Sequence, residues 1–247
     1  MHAEEPRWPN ETALWERLAQ SRKAPLEPSW LGEVYSPGLS NDLKGALGEK
    51  LGMLAARGWP VIRQLLDIHG CQAELILAAG LCHQPEARDW LLSEWRSSTG
   101  DHPYCLCIVQ ALSCWGAEVP ETLVTSCLNH PGQQHRLAGL QLLTFRAHLL
   151  SDAELLNLCE QALADFRDPV AIAAIRLLQR RDGTLIPEQL ASLCHTGSDA
   201  VSKAALLALG CMATPTSQRW LLELSQNLTN AERQQEACKQ LSQQFRN

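Results

Sequence analysis

The sequence predicts an all-α protein: a right-handed α-solenoid of about six helix pairs, preceded by an N-terminal helix and closed by a polar C-terminal cap helix. Similar segments return about every thirty residues, which is typical of stacked helix pairs. The composition agrees, because 45% of the residues are hydrophobic but only 5% are aromatic. Leu, Ala, Ile, Val and Cys must therefore fill close contacts between helices. Because a solenoid presents an extended surface, we expect a binding function.

Two pairs of segments show the repeat most clearly, each with its internal spacing preserved. The first recurrence places Asp168, Val170, Ala173-Ala174 and Leu178 against Asp199, Val201, Ala204-Ala205 and Leu209. The second places Gly80, Pro85 and Trp90-Leu91-Leu92 against Gly210, Pro215 and Trp220-Leu221-Leu222.

The chain divides into an N-terminal helix with a Pro/Gly-rich connector (1–40), the repeats (41–228) and a capping helix (229–247). Asn10 is a good N-cap, and Leu14, Trp15 and Leu18 form the apolar stripe of the helix that follows it. The connector, at 24–40, is expected to dock through Trp30, Leu31, Val34 and Tyr35. First helices are predicted at 41–57, 71–82, 103–115, 134–147, 169–180 and 199–212, and second helices at 60–69, 85–97, 120–129, 151–165, 187–195 and 215–227.

Most of the second helices open with a proline, which the first turn tolerates because the missing N–H has no intrahelical partner there. These prolines are Pro60, Pro85, Pro120, Pro187 and Pro215. The remaining second helix has Ser151 and Glu154 at capping-box spacing. The final segment is rich in Gln, Glu and Lys, and its few apolar residues are Ala231, Ala237, Cys238, Leu241 and Phe245. A polar face of this kind is what a terminal cap needs.

The charge balance limits the classes of partner. The formal net charge is −6, and basic residues form no run, whereas binding to a phosphate backbone needs clustered Lys and Arg. We therefore expect no nucleic-acid partner. The acidic N-terminus lacks the apolar core of a signal peptide, and no apolar stretch reaches membrane-spanning length. These features predict a cytoplasmic protein without membrane insertion.

The ten cysteines lie inside Leu/Ala-rich stretches, so we interpret them as free thiols that pack as small hydrophobes. A metal site at His102, Cys105, Cys107 and Cys114 is disfavoured, because residues two apart on a helix point to different sides and no C-x-x-C pair is present. Motifs for nucleotide binding or for a nucleophilic serine are also missing from the sequence. No catalytic residue is predicted.

The run Asp199-x-Val201-x-x-Ala204-Ala205-x-x-Ala208-Leu209-Gly210 resembles the first helix of a HEAT-like repeat. Residues Asp168 to Leu178 show the same pattern, although the arginine usual after the valine is replaced by Ala171 and Ser202. Chains of this size and repeat type are similar to the phycobilisome-lyase HEAT-like family, the E/F-type phycobilin lyases of cyanobacteria. That resemblance implies a linear tetrapyrrole as ligand and a phycobiliprotein subunit or a second lyase subunit as partner.

The tryptophans are distributed unevenly along the chain, because seven of the eight lie before residue 116. In the helix at 85–97, Ala87, Leu91 and Trp95 form an i, i+4, i+8 stripe that leaves Trp90 on another side. HEAT-like folds line their concave face with second helices. The resemblance therefore implies a ligand- or partner-binding groove that contains Trp59, Arg63, Arg88, Asp89 and Trp90, residue types enriched at binding hot spots. The alternative is that these side chains pack between repeats.

The sequence thus favours a HEAT-like module that binds a protein client or assembly partner through its concave face and holds no cofactor. The alternative is a phycobilin lyase or isomerase, or a lyase subunit, which holds the tetrapyrrole for attachment to a phycobiliprotein cysteine. In that case Arg would suit the propionates of the bilin and Trp its flat apolar body.

Overall fold

The computed structural model describes residues 10–98, 104–181 and 183–244, and every regular element in these ranges is a helix. The chain forms two units, Met1–Gly116 and Ala117–Asn247. Gly116 has φ 54° and ψ −119°, a conformation that strongly favours glycine over residues with a Cβ atom. The first unit therefore ends at a residue whose backbone interrupts the helical path.

The first unit contains seven α-helices. They are α1 (Glu11–Ala19), α2 (Pro28–Val34), α3 (Asn41–Met53), α4 (Trp59–His69), α5 (Ala73–Leu81), α6 (Pro85–Ser97) and α7 (Cys105–Leu112). Helices α3, α5 and α7 pack successively against one another. Their core is made of fully buried leucine and isoleucine side chains, including Leu47, Ile76 and Ile108.

Helix α5 approaches α7 closely at Gly80. A Cβ atom added there would lie 2.7 Å from Ala111 Cα and 2.8 Å from Ala111 Cβ. Two backbones pack at this distance only because one residue lacks a side chain. The glycine that marks the repeat in the sequence thus has a packing role in the structure.

The structure places the predicted N-terminal cap at Asn10, buries Leu31 and Tyr35 of the connector, and forms part of that connector as a helix. The Asn10 side chain accepts a hydrogen bond from the Thr12 backbone N–H, as a cap should. Trp15 does not belong to the buried stripe, because 42% of its surface is exposed. The connector contains α2, which begins at Pro28 and buries Leu31 completely.

The second unit contains eight α-helices. They are α8 (Glu121–Leu128), α9 (Gln133–Arg146), α10 (Asp152–Leu163), α11 (Asp168–Leu178), α12 (Leu185–Thr196), α13 (Asp199–Met212), α14 (Pro215–Asn227) and α15 (Ala231–Gln244). Helices α9, α11, α13 and α15 pack in sequence order, and α15 also packs on α14. The predicted capping helix therefore covers the end of this row, although Phe245 lies outside the described residues.

Local capping explains why several of these helices begin where they do. Ser151 and Glu154 form the predicted capping box at α10, in which the serine hydroxyl accepts from the Glu154 backbone and the Glu154 carboxylate accepts from the Ser151 backbone. Thr214 and Ser217 form a second box at α14. Such caps satisfy N–H groups that have no partner within the helix.

Arginine side chains tie the loops of the second unit together, and the sequence analysis did not find them. The Arg181 guanidinium donates to the carbonyl oxygens of Ala147 and Leu150 at 2.9 Å each. Arg146 donates in the same way to the carbonyl of Val119, also at 2.9 Å. Arg181 thus satisfies carbonyl groups of the turn between α9 and α10, and Arg146 satisfies one in the segment just before α8.

Asp165 joins two further arginines at the turn after α10. It accepts hydrogen bonds from Arg136 Nη1 and from Arg167 Nε and Nη2, each at 2.8 Å. The Asp165 side chain is only 1% exposed. The Arg167 side-chain hydrogen bonds, and then the nearby positive charges, hold the Asp165 pKa below its ordinary value in spite of burial. This carboxylate therefore stays charged inside the turn.

The cysteines are all free thiols in the structure. Five of them are buried, Cys71 and Cys107 are half-buried, and Cys114, Cys211 and Cys238 are exposed. Burial was thus overestimated for the last three. Among the described residues, none of the helices has the length and apolar composition that a membrane span requires.

Candidate functional site

The first unit carries an aromatic cluster on helices α4 and α6. Trp59 is the first residue of α4, and Trp90 lies in the middle of α6. Their ring centroids are 6.2 Å apart, and the ring planes are inclined at 48°. Both side chains are half-buried. Two tryptophans from helices α4 and α6 are therefore in ring contact.

Arg63 completes this cluster from one turn farther along α4. Its guanidinium carbon lies 5.6 Å from the centroid of the Trp90 ring, a cation–π distance. Arg63 Nη2 also lies 2.9 Å from Asp67 Oδ1. The carboxylate and the indole together hold the guanidinium, whose side chain remains 42% exposed. We call Trp59, Arg63 and Trp90 the tryptophan–arginine patch.

A thiol and a carboxylate lie at the edge of the patch. Cys71 Sγ is 4.0 Å from Glu94 Oε2, and Glu94 follows Trp90 by one turn of α6. Burial raises the pKa of Cys71 above its ordinary value, and the charge of Glu94 raises it further, whereas the charge of Arg63 lowers it. The thiol therefore stays protonated, and it lies within electrostatic reach of both Glu94 and Arg63.

The other two predicted site residues, Arg88 and Asp89, lie elsewhere on α6. Arg88 Nε is 3.7 Å from Asp89 Oδ1, and the Asp89 side chain is 72% exposed. At 100° per residue, Arg88 lies about 200° around the helix axis from Trp90. The five predicted residues therefore do not share one face. The structure joins three of them and places the remaining pair apart.

The first unit also contains a buried polar network that sequence reasoning missed. The Tyr35 hydroxyl donates to Glu74 Oε1 at 2.6 Å, and Lys44 Nζ lies 3.8 Å from the same oxygen. Burial, and then the hydrogen bond to Glu74, raises the pKa of Tyr35. The three residues come from the end of α2, from α3 and from α5, so no local spacing reveals them.

Tyr35 also borders a cavity of about 430 Å³ between α2 and α4. The Tyr35 and His69 ring centroids lie 5.5 Å apart at its wall. The other lining residues are Ser29, Gly32, Glu33, Val61, Gln64, Leu65 and Ile68. The volume falls in the range of small-molecule sites, but the polar groups on its wall do not form an acid–base or nucleophile–base pair.

The cysteines considered as metal ligands do not assemble. Cys105 is buried and its thiol lies 3.3 Å from Ser98 Oγ, whereas Cys107 is half-buried. His102 lies outside the described residues. Within the ranges that the structure describes, no three His, Cys, Asp or Glu side chains are arranged to hold a metal ion.

Comparison of the chain with known protein families and with curated protein sequences finds no match. The candidate site is therefore defined by its own residues: two tryptophans and an arginine brought together by α4 and α6.

Proposed function

We propose that the chain is a HEAT-like binding module, a right-handed solenoid of about six helix pairs with an N-terminal helix and a polar C-terminal cap, that engages a protein client through the tryptophan–arginine patch. The observation that carries this proposal is the contact of Trp59 with Trp90 and of Arg63 with Trp90. Trp and Arg are the side chains most enriched at binding hot spots.

The exposure of these side chains supports the proposal. A tryptophan that served only the core would be buried, yet both rings are half-buried and the Arg63 side chain is 42% exposed. A client that covered the patch would remove apolar ring surface from water. It would also desolvate a guanidinium that Asp67 and Trp90 already hold in place, so little side-chain entropy would be lost on binding.

The test compares two charge reversals. Arg63→Glu changes the patch, whereas Arg96→Glu changes an exposed arginine of the same helix as Trp90, about 240° around the axis from that residue. A client is captured from a lysate of the source organism with the wild-type chain, purified and titrated by calorimetry. We expect Arg63→Glu to weaken binding about thirtyfold, the equivalent of about 2 kcal/mol, and Arg96→Glu to leave it unchanged.

Both variants should keep the wild-type melting temperature, because exposed arginines contribute within about half a kcal/mol to folding. Equal affinity of all three proteins for the client would refute the proposed site. Loss of melting temperature in Arg63→Glu without loss of binding would show that the arginine has a structural role.

The alternative function is that of a phycobilin lyase or lyase subunit. The combination of Arg63, two indoles and the Glu94 carboxylate, which lies one turn of α6 from Trp90, favours it, because a linear tetrapyrrole carries anionic propionates, a protonatable ring system and a flat apolar body. Titration with biliverdin distinguishes the two functions. A lyase would bind the pigment and transfer it to a co-expressed phycobiliprotein subunit, with a change in visible absorbance, whereas a module specific for a protein client would not.

A further inference from the structure

Five arginines of the second unit are bonded to carbonyl oxygens or carboxylates of the fold: Arg136, Arg146, Arg167, Arg181 and Arg233. Arg176 and Arg180 differ from them. Both are exposed, and neither guanidinium forms a hydrogen bond or ion pair with any described residue. Within the described ranges, these two charges therefore have no partner.

Both arginines border one groove between α9 and α11. The groove has a volume of about 250 Å³. Its other lining residues are Leu137, Leu140, Gln141, Thr144, Ala173 and Leu177. Leu140 and Leu177 are buried and form its apolar floor. An apolar groove with two exposed cations on its rim is chemically suited to an occupant that is apolar on one face and acidic beside it.

The spacing of the rim charges indicates the shape of the occupant. Arg176 lies on α11, and Arg180 lies two residues after its end at Leu178. The intervening Gln179 keeps helical angles, with φ −60° and ψ −12°, so the two arginines remain about one turn, or about 6 Å, apart along the helix axis. The lining residues on α9 span about 10 Å, or two turns. Carboxylates four residues apart on a second helix have the same separation. A helix laid along the groove would therefore meet both guanidinium groups while its apolar residues enter the groove.

Exposed apolar side chains flank this surface. Phe145 follows the groove residue Thr144 and is 42% exposed. Leu207 lies on α13, which packs against α11, and it occupies the position of Arg176 in the next repeat; it is 41% exposed. Aromatic, aliphatic and arginine side chains around a shallow groove are typical of a surface that receives an amphipathic helix.

We propose that the groove between α9 and α11 is a docking site for an acidic amphipathic helix of a partner protein, which pairs carboxylates one turn apart with Arg176 and Arg180. Two unpaired cations are too few for a phosphate backbone, which is bound by larger clusters of Lys and Arg. The site lies in the second unit and does not depend on the tryptophan–arginine patch.

The test uses a fluorescently labelled peptide of about 16 residues, a length at which a helix can form. Its leucines follow the i, i+3, i+4, i+7 pattern, and glutamates stand one turn apart beside them. A matched peptide carries glutamine at each glutamate. Binding to the full chain is followed by fluorescence anisotropy. We expect the glutamate peptide to bind more tightly than its glutamine counterpart, with an affinity that falls as salt is added.

The double substitution Arg176→Glu/Arg180→Glu should weaken this binding about tenfold or more. Arg219→Glu is the matched control, because Arg219 is an exposed arginine of α14 in the same unit, and it should change the affinity less than about twofold. Arg176→Gln/Arg180→Gln removes the charges without introducing new ones and serves if the double reversal does not fold.

Four outcomes would overturn the proposal. The first is equal binding of the glutamate and glutamine peptides. The second is an affinity that neither double variant changes. The third is tighter binding of a single-stranded oligonucleotide, because the groove would then serve nucleic acid. The fourth is a wild-type dimer in sedimentation that the double variant dissociates, because the groove would then bind a second copy of the chain.

Discussion

Substituting alanine at Gly80 tests the packing of the first unit. The added methyl group would lie 2.7 Å from Ala111 Cα and 2.8 Å from Ala111 Cβ. Neither atom belongs to a long side chain that can turn away, so α5 and α7 must separate or bend. Gly45 offers the matched control, because a Cβ atom added there meets nothing within 4 Å and α3 is otherwise unchanged.

The magnitude follows from two opposing terms. Overpacking a close contact costs about 1–3 kcal/mol, and a clash with backbone atoms belongs at the upper end. Alanine in place of glycine inside a helix returns about 1 kcal/mol. The net destabilisation expected for Gly80→Ala is therefore about 2 kcal/mol, whereas Gly45→Ala should stabilise by about 0.5–1 kcal/mol.

Urea unfolding followed by far-ultraviolet circular dichroism measures both free energies under the same conditions. The opposite signs of the two changes in unfolding free energy matter more than their sizes, because helix propensity alone would stabilise both variants. A Gly80→Ala protein as stable as the wild type would refute the close approach of α5 and α7 at this residue.

Two further predictions concern buried groups. Asp165→Asn should destabilise the second unit by about 3 kcal/mol, because it leaves two arginines without their shared carboxylate, whereas Asp199→Asn should cost less than about 1 kcal/mol, since that side chain is 90% exposed. The lowered Asp165 pKa means that its contribution is present above the ordinary value of 3.8 and is lost as the pH falls through the lowered one. The unfolding free energy of the wild type, but not that of Asp165→Asn, should therefore contain this loss at acid pH. Unfolding free energies of the two proteins that change with pH in parallel would contradict the prediction. Burial raises the pKa of Cys159 and Cys194 to about 12, so these thiols should react with a thiol reagent only after unfolding, while Cys211 reacts in the native protein. Mass spectrometry identifies the labelled cysteines. Rapid labelling of either buried cysteine in the native protein would contradict its burial between the helices.

The sequence predicted those helix starts that depend on neighbouring residues. The cap at Asn10 and the capping box of Ser151 and Glu154 are both present, because each involves groups only two or three residues apart. Helix α2 was missed since Pro28 and Gly32 resemble a loop when considered alone. In the structure Pro28 opens the helix, and a Cβ atom at Gly32 would lie 2.7 Å from Val61 Cγ1. The close packing of Gly32 depends on a residue far away in the sequence, so no neighbouring residue reveals it.

For the candidate site as well, part could be predicted from the sequence and part depends on the three-dimensional structure. Trp59, Arg63 and Trp90 could be grouped from the sequence because the repeat predicts that α4 and α6 are neighbouring second helices. The repeat gives the helix on which a residue lies, but the rotation about its axis decides the face. Arg88 and Asp89 were assigned by nearness in sequence to Trp90, and the helical period separates them from it.

The most direct test of the central claim is the affinity of the purified client for Trp90→Ala, measured by calorimetry against Trp220→Ala. Both tryptophans occupy the same position in the recurring Gly-Pro-Trp-Leu-Leu segment and both are half-buried, but only Trp90 contacts Trp59 and Arg63. The account predicts a loss of about thirtyfold for Trp90→Ala, as expected of a hot-spot residue, and little change for Trp220→Ala. An unchanged affinity of a folded Trp90→Ala protein would contradict it.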